Sequence, residues 1–309
     1  MLHLSYRDTF DTKLPHVGMH CSGMTSTIIP AALGDWIIAQ ALAGQPPEQA
    51  LQPLLEQGWN EQDAIDAVEA LLRGHIQQHA QTHGLPMPVR VPAVLQDNDA
   101  SLLDLGDRQV RVLVSLLLPR VVVLGDFLSN AECDALIALA QPRLARSRTV
   151  DNVNGAQIVH AARTSDSMCL QLGQDALCQR IEARIARLLD WPVDHGEGLQ
   201  VLRYATGAEY QPHYDYFDPA NAGTPVLLQA GGQRVASLVM YLNTPERGGA
   251  TRFPEAHLDV AAVKGNAVFF SYDRPHPMTR SLHAGAPVLA GEKWVATKWL
   301  RERAVRMPS

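Results

Sequence analysis

The chain of 309 residues carries 26 basic and 32 acidic side chains, a formal charge of −6, with 46% apolar and 19% charged residues. That length suits one large domain with a smaller appendage, and the ordinary composition excludes a globally disordered, collagenous or coiled-coil chain. Net acidity argues against general nucleic-acid binding, which rests on neutralising phosphates, and no apolar run reaches the ~18 residues of a membrane span.

Residues 1–24 lack the basic-then-apolar order of a signal peptide and show no period, so they read as a disordered leader. Residues 25–83 read as a helical domain. Trp36, Ile37, Ile38, Ala41 and Leu42 give a first apolar stripe, and Ala50, Leu51, Leu54 and Leu55 a second after Pro46-Pro47-Glu48. Gly58-Trp59 breaks that helix. Asn60 and Asp63 look like the cap of the next, which continues through Ala64, Ala67, Val68, Leu71 and Leu72. Pro86, Pro88 and Pro92 mark a linker, and 84–118 reads as this linker plus strands joining the core. From 119 to 309 the pattern is that of a second domain, helices followed by short strands. Ser129 with Glu132 forms a capping box, a second helix runs from about Asp175 to Leu189, and short strands with Gly/Pro/Asn turns follow Gly196. The fold class expected is α+β, a sandwich or jelly roll with a helical buttress. Cys21, Cys133, Cys169 and Cys178 fit neither a zinc site nor a disulfide framework, and suit reduced thiols in the cytoplasm.

The chemistry centres on Gln211-Pro212-His213-Tyr214-Asp215. Side chains at i and i+2 of a strand share a face. An imidazole beside a carboxylate is two thirds of the facial triad that holds non-haem Fe(II). Alone, such a pair is more often incidental. Downstream, His283 sits in Arg280-Ser281-Leu282-His283-Ala284-Gly285, and Lys293 follows ten residues later. Pro287 to Gly291 looks like a turn, so the two flanking strands are expected to pair and bring His283 and Lys293 to one pocket. Only four lysines occur, Lys13, Lys264, Lys293 and Lys298. One inside an apolar strand wants an anionic partner, because an unpaired buried cation is costly. A core histidine and a hairpin-edge lysine are the plainer readings of each residue taken singly. His276, between two prolines, is a competing third ligand, and Arg280 a competing anchor.

In order and spacing, RVVVLGDFLSNAECDALIALA, the Arg-Thr-Ser at 163–165, GEGLQVLRYATGAEYQPHYDYF, GGQRVASLVMYLN, GGATRFP and RSLHAGAPVLAGEKWVATKWL resemble the prolyl 4-hydroxylase family of Fe(II)- and 2-oxoglutarate-dependent dioxygenases. The resemblance spans about residues 119–303. It implies a double-stranded β-helix core, with His213, Asp215 and His283 as iron ligands and Lys293 anchoring 2-oxoglutarate. It also implies that Tyr204 contacts the same cosubstrate and that Tyr210, Arg234 and Trp299 line the substrate groove. For these last three, core packing or a sheet-edge charge competes. The cofactors implied are Fe(II), 2-oxoglutarate and O2, with ascorbate as an accessory reductant. The reaction implied is hydroxylation of an unactivated C–H with release of succinate and CO2. Asp215 argues for hydroxylation over the halogenation that needs an open position there. A prolyl residue in a peptide, a free proline-like amino acid, another free amino acid of natural-product biosynthesis, and a metal-binding jelly roll without turnover are the readings carried. Residues 218–232 are expected to form a loop that covers the substrate, and the N-terminal helices are a candidate homodimer surface.

Overall fold

The computed structural model describes residues 29–94, 100–150, 156–158 and 160–305. The expected leader at 1–24 lies outside the described residues. The chain divides into two compact units, Met1–Met87 and Pro88–Ser309. The boundary falls four residues beyond the expected end of the helical domain, and most of the expected joining stretch belongs to the second unit.

The first unit contains α1 (Ala31–Leu42), α2 (Pro47–Glu56) and α3 (Glu61–His83). The punctuation read from the sequence sets their ends. Pro46 and Pro47 open α2. The Asn60 side chain accepts from the Asp63 backbone N–H, and Gly84, at φ 62, closes α3 in the left-handed conformation. Ile37, Leu51, Leu54, Ala64 and Val68 form this unit's own core.

In the second unit the chain runs through β1 (Leu102–Asp104), β2 (Gln109–Leu116), β3 (Arg120–Gly125), α4 (Asn130–Ala140), β4 (Ala145–Arg146), β5 (Thr149–Val150), β6 (Gln157–Ile158), β7 (Asp166–Cys169) and α5 (Ala176–Leu189). It continues through β8 (Gln200–Tyr204), β9 (Tyr210–His213), α6 (Thr224–Gln229), β10 (Arg234–Tyr241), β11 (Arg247–Gly248), β12 (Thr251–Phe253) and β13 (Leu258–Val260). It ends with β14 (Ala267–Ser271), β15 (His283–Gly285), β16 (Val288–Ala290) and β17 (Lys293–Arg301). A nine-stranded sheet has the order β1-β2-β3-β14-β10-β17-β8-β7-β4, and a four-stranded sheet has β13-β12-β15-β9. Every named pairing is antiparallel.

Alternation along β17 sorts the two faces of the large sheet. Trp294, Ala296 and Leu300 join α4 and α5 in the larger core, with Leu136, Ile181, Ile185 and Leu188. Val295 joins Leu202, Tyr204, Tyr241, Phe253, Phe270 and Tyr272 in a second core between the sheets. Helices on one face and a second sheet on the other make this the expected jelly roll with a helical buttress, an α+β architecture. The capping box predicted at Ser129 is present, with both the Ser129 and Glu132 side chains engaged.

Two expectations need correction. The strands carrying His283 and Lys293 do not form a hairpin. β15 pairs with β9 and β12 in the small sheet, and β17 pairs with β8 and β10 in the large one. Between them β16 pairs with β11, and Gly291, at φ 74, lets the chain turn across from one sheet to the other. The segment 218–232 is also not wholly a loop: α6 lies inside it. Arg301 Nη2 donates to Leu227 O at 2.8 Å, which ties that helix to the end of β17.

Candidate active site

β9 and β15 pair so that His213 stands opposite His283. Asp215 is not in the strand, as the i, i+2 argument assumed. β9 ends at His213, and Asp215 occupies the bend beyond it. It still faces both histidines. His213 Nε2 is 3.5 Å from Asp215 Oδ1, and His283 Nε2 is 3.5 Å from Asp215 Oδ2. One donor atom from each of the three residues lies within 4.8 Å of the others.

The backbone fixes which nitrogen each ring presents. His213 Nδ1 lies 2.8 Å from Gln211 O, and His283 Nδ1 3.0 Å from Ser281 O. A carbonyl can only accept, so each Nδ1 carries a proton and Nε2 is the atom that each ring turns toward the cluster. Two imidazole Nε2 atoms and a carboxylate therefore converge on one point. A cation relieves that arrangement, and two imidazoles with one carboxylate suit Fe(II). Burial, and secondarily the His213 imidazole, pushes His283 down to about 4, which keeps it neutral. Burial pushes the Asp215 carboxyl up, but the two histidines and Arg234 outweigh it and hold the group well below the usual carboxylate range.

Lys293 is 3% exposed on the interior face of the large sheet, directly opposite Tyr204 in the β17–β8 ladder. Its Nζ lies 5.6 Å from the Tyr204 ring centroid and 5.7 Å from that of Tyr241. Its aliphatic stem runs beside Gly249, where a Cβ would come within 3.2 Å of Lys293 Cδ. Among the described residues no carboxylate pairs with it, and burial alone lowers it from 10.5 to about 8. Two aromatic rings within about 6 Å offset part of that cost without supplying a counter-charge. A buried ammonium with no anion is a cradle for one, and the distal carboxylate of 2-oxoglutarate has the right charge.

The third group lies beyond His213. Tyr210 stacks on the His213 ring at 3.6 Å between centroids, and burial raises its phenol to about 12. Arg234 lies 4.1 Å over the Trp299 ring and 4.9 Å over Phe217. Arg234 is not a sheet-edge surface charge: its side chain is 14% exposed and bonds Glu197 in bidentate fashion, at 2.7 and 2.8 Å. His276 does not join the metal cluster. It caps the turn at Pro277–Thr279, its Nδ1 accepting from Met278 N at 3.1 Å. Arg280 takes a left-handed conformation just after that turn.

Sequence reasoning gave no role to Glu197, to Ser237 or to Arg163, although Arg163 stands in one of the motifs that carry the resemblance. Glu197 was legible as a lone carboxylate between two glycines. Arg163 lies 4.9 Å from the Tyr210 ring and donates from Nη2 to Gln200 Oε1 at 2.8 Å. Ser237 donates to Asp215 Oδ2 at 2.6 Å, and nothing in ASLVMYLN marks it.

Residues 199–301 match the 2OG-Fe(II) oxygenase superfamily family model. Among curated proteins, probable prolyl 4-hydroxylase 3 of Arabidopsis thaliana is 40% identical over 204 residues, covering 59% of this chain and 69% of that protein. Prolyl 4-hydroxylase 1 of the same plant is 41% identical over 227 residues, covering 67% and 77%. Among solved structures, the viral collagen prolyl hydroxylase of Paramecium bursaria Chlorella virus-1, in its 2OG complex, is 30% identical, with 59% and 95% coverage and a TM-score of 0.47.

Proposed function

The chain belongs to the prolyl 4-hydroxylase family of Fe(II)- and 2-oxoglutarate-dependent hydroxylases, and from that premise we propose that it hydroxylates a prolyl residue within a peptide or protein. In this reading His213, Asp215 and His283 hold the iron, and Lys293 with Tyr204 holds the far carboxylate of 2-oxoglutarate. Bound there, Fe(II) with 2-oxoglutarate and O2 supplies the oxidation that inserts one oxygen atom into an unactivated C–H, leaving succinate and CO2.

The chain's own contribution is positioning. The two backbone carbonyls lock the histidine tautomers so that Nε2 faces the ion. The flanking aromatic side chains keep water from the Lys293 ammonium, which strengthens its hold on a carboxylate. Tyr210, stacked on His213, and Trp299, beneath Arg234, offer flat apolar faces against which a pyrrolidine ring can lie.

The observation that carries the peptide reading is the Arg234–Glu197 pair. A free amino acid needs an unpaired cation for its carboxylate and an unpaired anion for its ammonium. Here the charges beside Trp299 already satisfy one another at 2.7 and 2.8 Å. A peptide brings neither terminal charge and can use the pair through hydrogen bonds.

Succinate release should therefore rise with short proline-containing peptides and not with free proline or other free amino acids. Mass spectrometry should find one added oxygen on the peptide. Stimulation by a free amino acid alone would replace this reading with the small-molecule one.

A further inference from the structure

Ser237 touches the candidate iron cluster from the large sheet, and Tyr272, just past the end of β14, touches Ser237. Ser237 lies on β10, fully buried, opposite Trp299 of β17 and Phe270 of β14. Its hydroxyl donates to Asp215 Oδ2 at 2.6 Å, the short range expected when the acceptor is charged. The Tyr272 hydroxyl lies 3.0 Å from the same Ser237 Oγ. A serine hydroxyl has one proton. That proton is committed to the carboxylate, so Ser237 Oγ can only accept from Tyr272. The bonds therefore run in one direction, from Tyr272 to Ser237 to Asp215 Oδ2. Tyr272 is 1% exposed. Burial, and then the Asp215 charge, raise its phenol well above 10, so the proton it donates stays on it.

The three ligands are not held alike. His213 and His283 sit in paired strands, and each ring is tied to a backbone carbonyl. Asp215 lies past the end of β9, where no ladder fixes its direction. A carboxylate free to rotate can ligate a cation through one oxygen or through both. Ligation through both would close a coordination position that the cosubstrate or O2 needs.

We propose that Ser237, backed by Tyr272, is a positioning pair that holds the Asp215 carboxylate as a one-oxygen metal ligand. The hydroxyl bond falls on Oδ2 alone, so the two carboxylate oxygens are unequal, and Oδ1 carries no hydroxyl donor. This deepens the hydroxylase reading and rests on it.

The test is titration of the metal-free full-length protein with Mn(II), followed by paramagnetic resonance of the unbound ion. Ser237→Ala should weaken Mn(II) binding about tenfold. Ser237→Thr, which keeps the hydroxyl, should restore it. Tyr272→Phe should give a smaller loss in the same direction, and it decides the question if Ser237→Ala fails to fold. A second readout is the visible charge-transfer band of the anaerobic Fe(II)–2-oxoglutarate protein. That band should move in Ser237→Ala and return in Ser237→Thr, which mere loss of packing would not produce. Asp215→Ala separates the two levels. If it loses Mn(II) while Ser237→Ala and Tyr272→Phe bind like the unaltered protein with an unmoved band, the positioning pair is overturned. If Asp215→Ala itself binds Mn(II) normally, the iron site assigned to the cluster falls, and the positioning pair with it.

Discussion

Lys293 is held at a cost that only a ligand recovers. A fall from 10.5 to about 8 corresponds to about 3 kcal/mol of uncompensated burial. Below about pH 8 both the folded and unfolded states keep the proton, and the folded state bears the whole cost. Between about 8 and 10.5 the unfolded lysine stays protonated while the folded one does not, so this group's destabilisation fades as pH rises. Lys293→Met removes the charge at nearly the same volume. The ligand-free variant should therefore melt several degrees higher at neutral pH and lack the gain in stability between pH 8 and 10.5. It should also lose the thermal shift that 2-oxoglutarate gives the unaltered protein. Calorimetry with and without 2-oxoglutarate across that range checks all three; an unchanged thermal shift would remove Lys293 from the cosubstrate's site. The lysine was legible because it is rare and sits in an apolar strand. Its apposition to Tyr204 was not, since register between strands leaves no mark within either one.

At the scale of elements, the buttress is fastened by ions as well as by apolar packing. Arg184 of α5 bonds Glu132 of α4 at 2.7 Å and Asp107 of the β1–β2 connection at 2.7 Å. Its Nη1 also donates to Phe127 O at 2.8 Å. Glu132 serves twice, since it closes the α4 capping box. Burial pushes its carboxyl up, yet Arg184 and the Ser129 backbone outweigh that and bring it from 4.5 to about 2. A lowered carboxyl contributes stability above its unfolded value, and that stability is lost as pH falls from about 4.5 to about 2. Glu132→Gln should cost about 3 kcal/mol at neutral pH, because it leaves the buried Arg184 guanidinium with only the more exposed Asp107 as a carboxylate partner. Denaturant melts should show a shallower stability loss for the variant than for the unaltered protein between pH 5 and 3; parallel curves would mean that Glu132 is not the group being titrated. The cap at Ser129–Glu132 could be read because its signal is local, as could Asn60–Asp63. The separation of β15 from β17 could not. A turn signal such as Pro287–Gly291 looks the same whether the chain folds back on itself or crosses to the opposite sheet. Only the pairing of β16 with β11 distinguishes them. Ser237 was hidden for a related reason: a small hydroxyl in an apolar strand acquires a role only from the loop that the other sheet brings to it.

At the scale of the whole chain, charge and chemistry are segregated. Residues 1–87 contain nine of the 32 acidic side chains and three of the 26 basic ones, so the remainder holds 23 of each and is formally neutral. Every residue of the candidate site lies in Pro88–Ser309, and each unit has its own buried core. A chain begun at Pro88 therefore keeps its iron ligands, its Lys293 pocket and the β1–β2 hairpin that extends the large sheet. It should unfold cooperatively and bind Mn(II) and 2-oxoglutarate as the full chain does. A neutral net charge promotes association, so its solubility near pH 7 should fall below that of the full protein even as ligand binding persists. Sedimentation against pH, beside the Mn(II) titration, separates the two effects. Loss of metal binding together with loss of solubility would mean that the helical unit supports the site itself. Retained binding with reduced solubility would assign that unit a role in the chain's charge, with the chemistry left to the jelly roll.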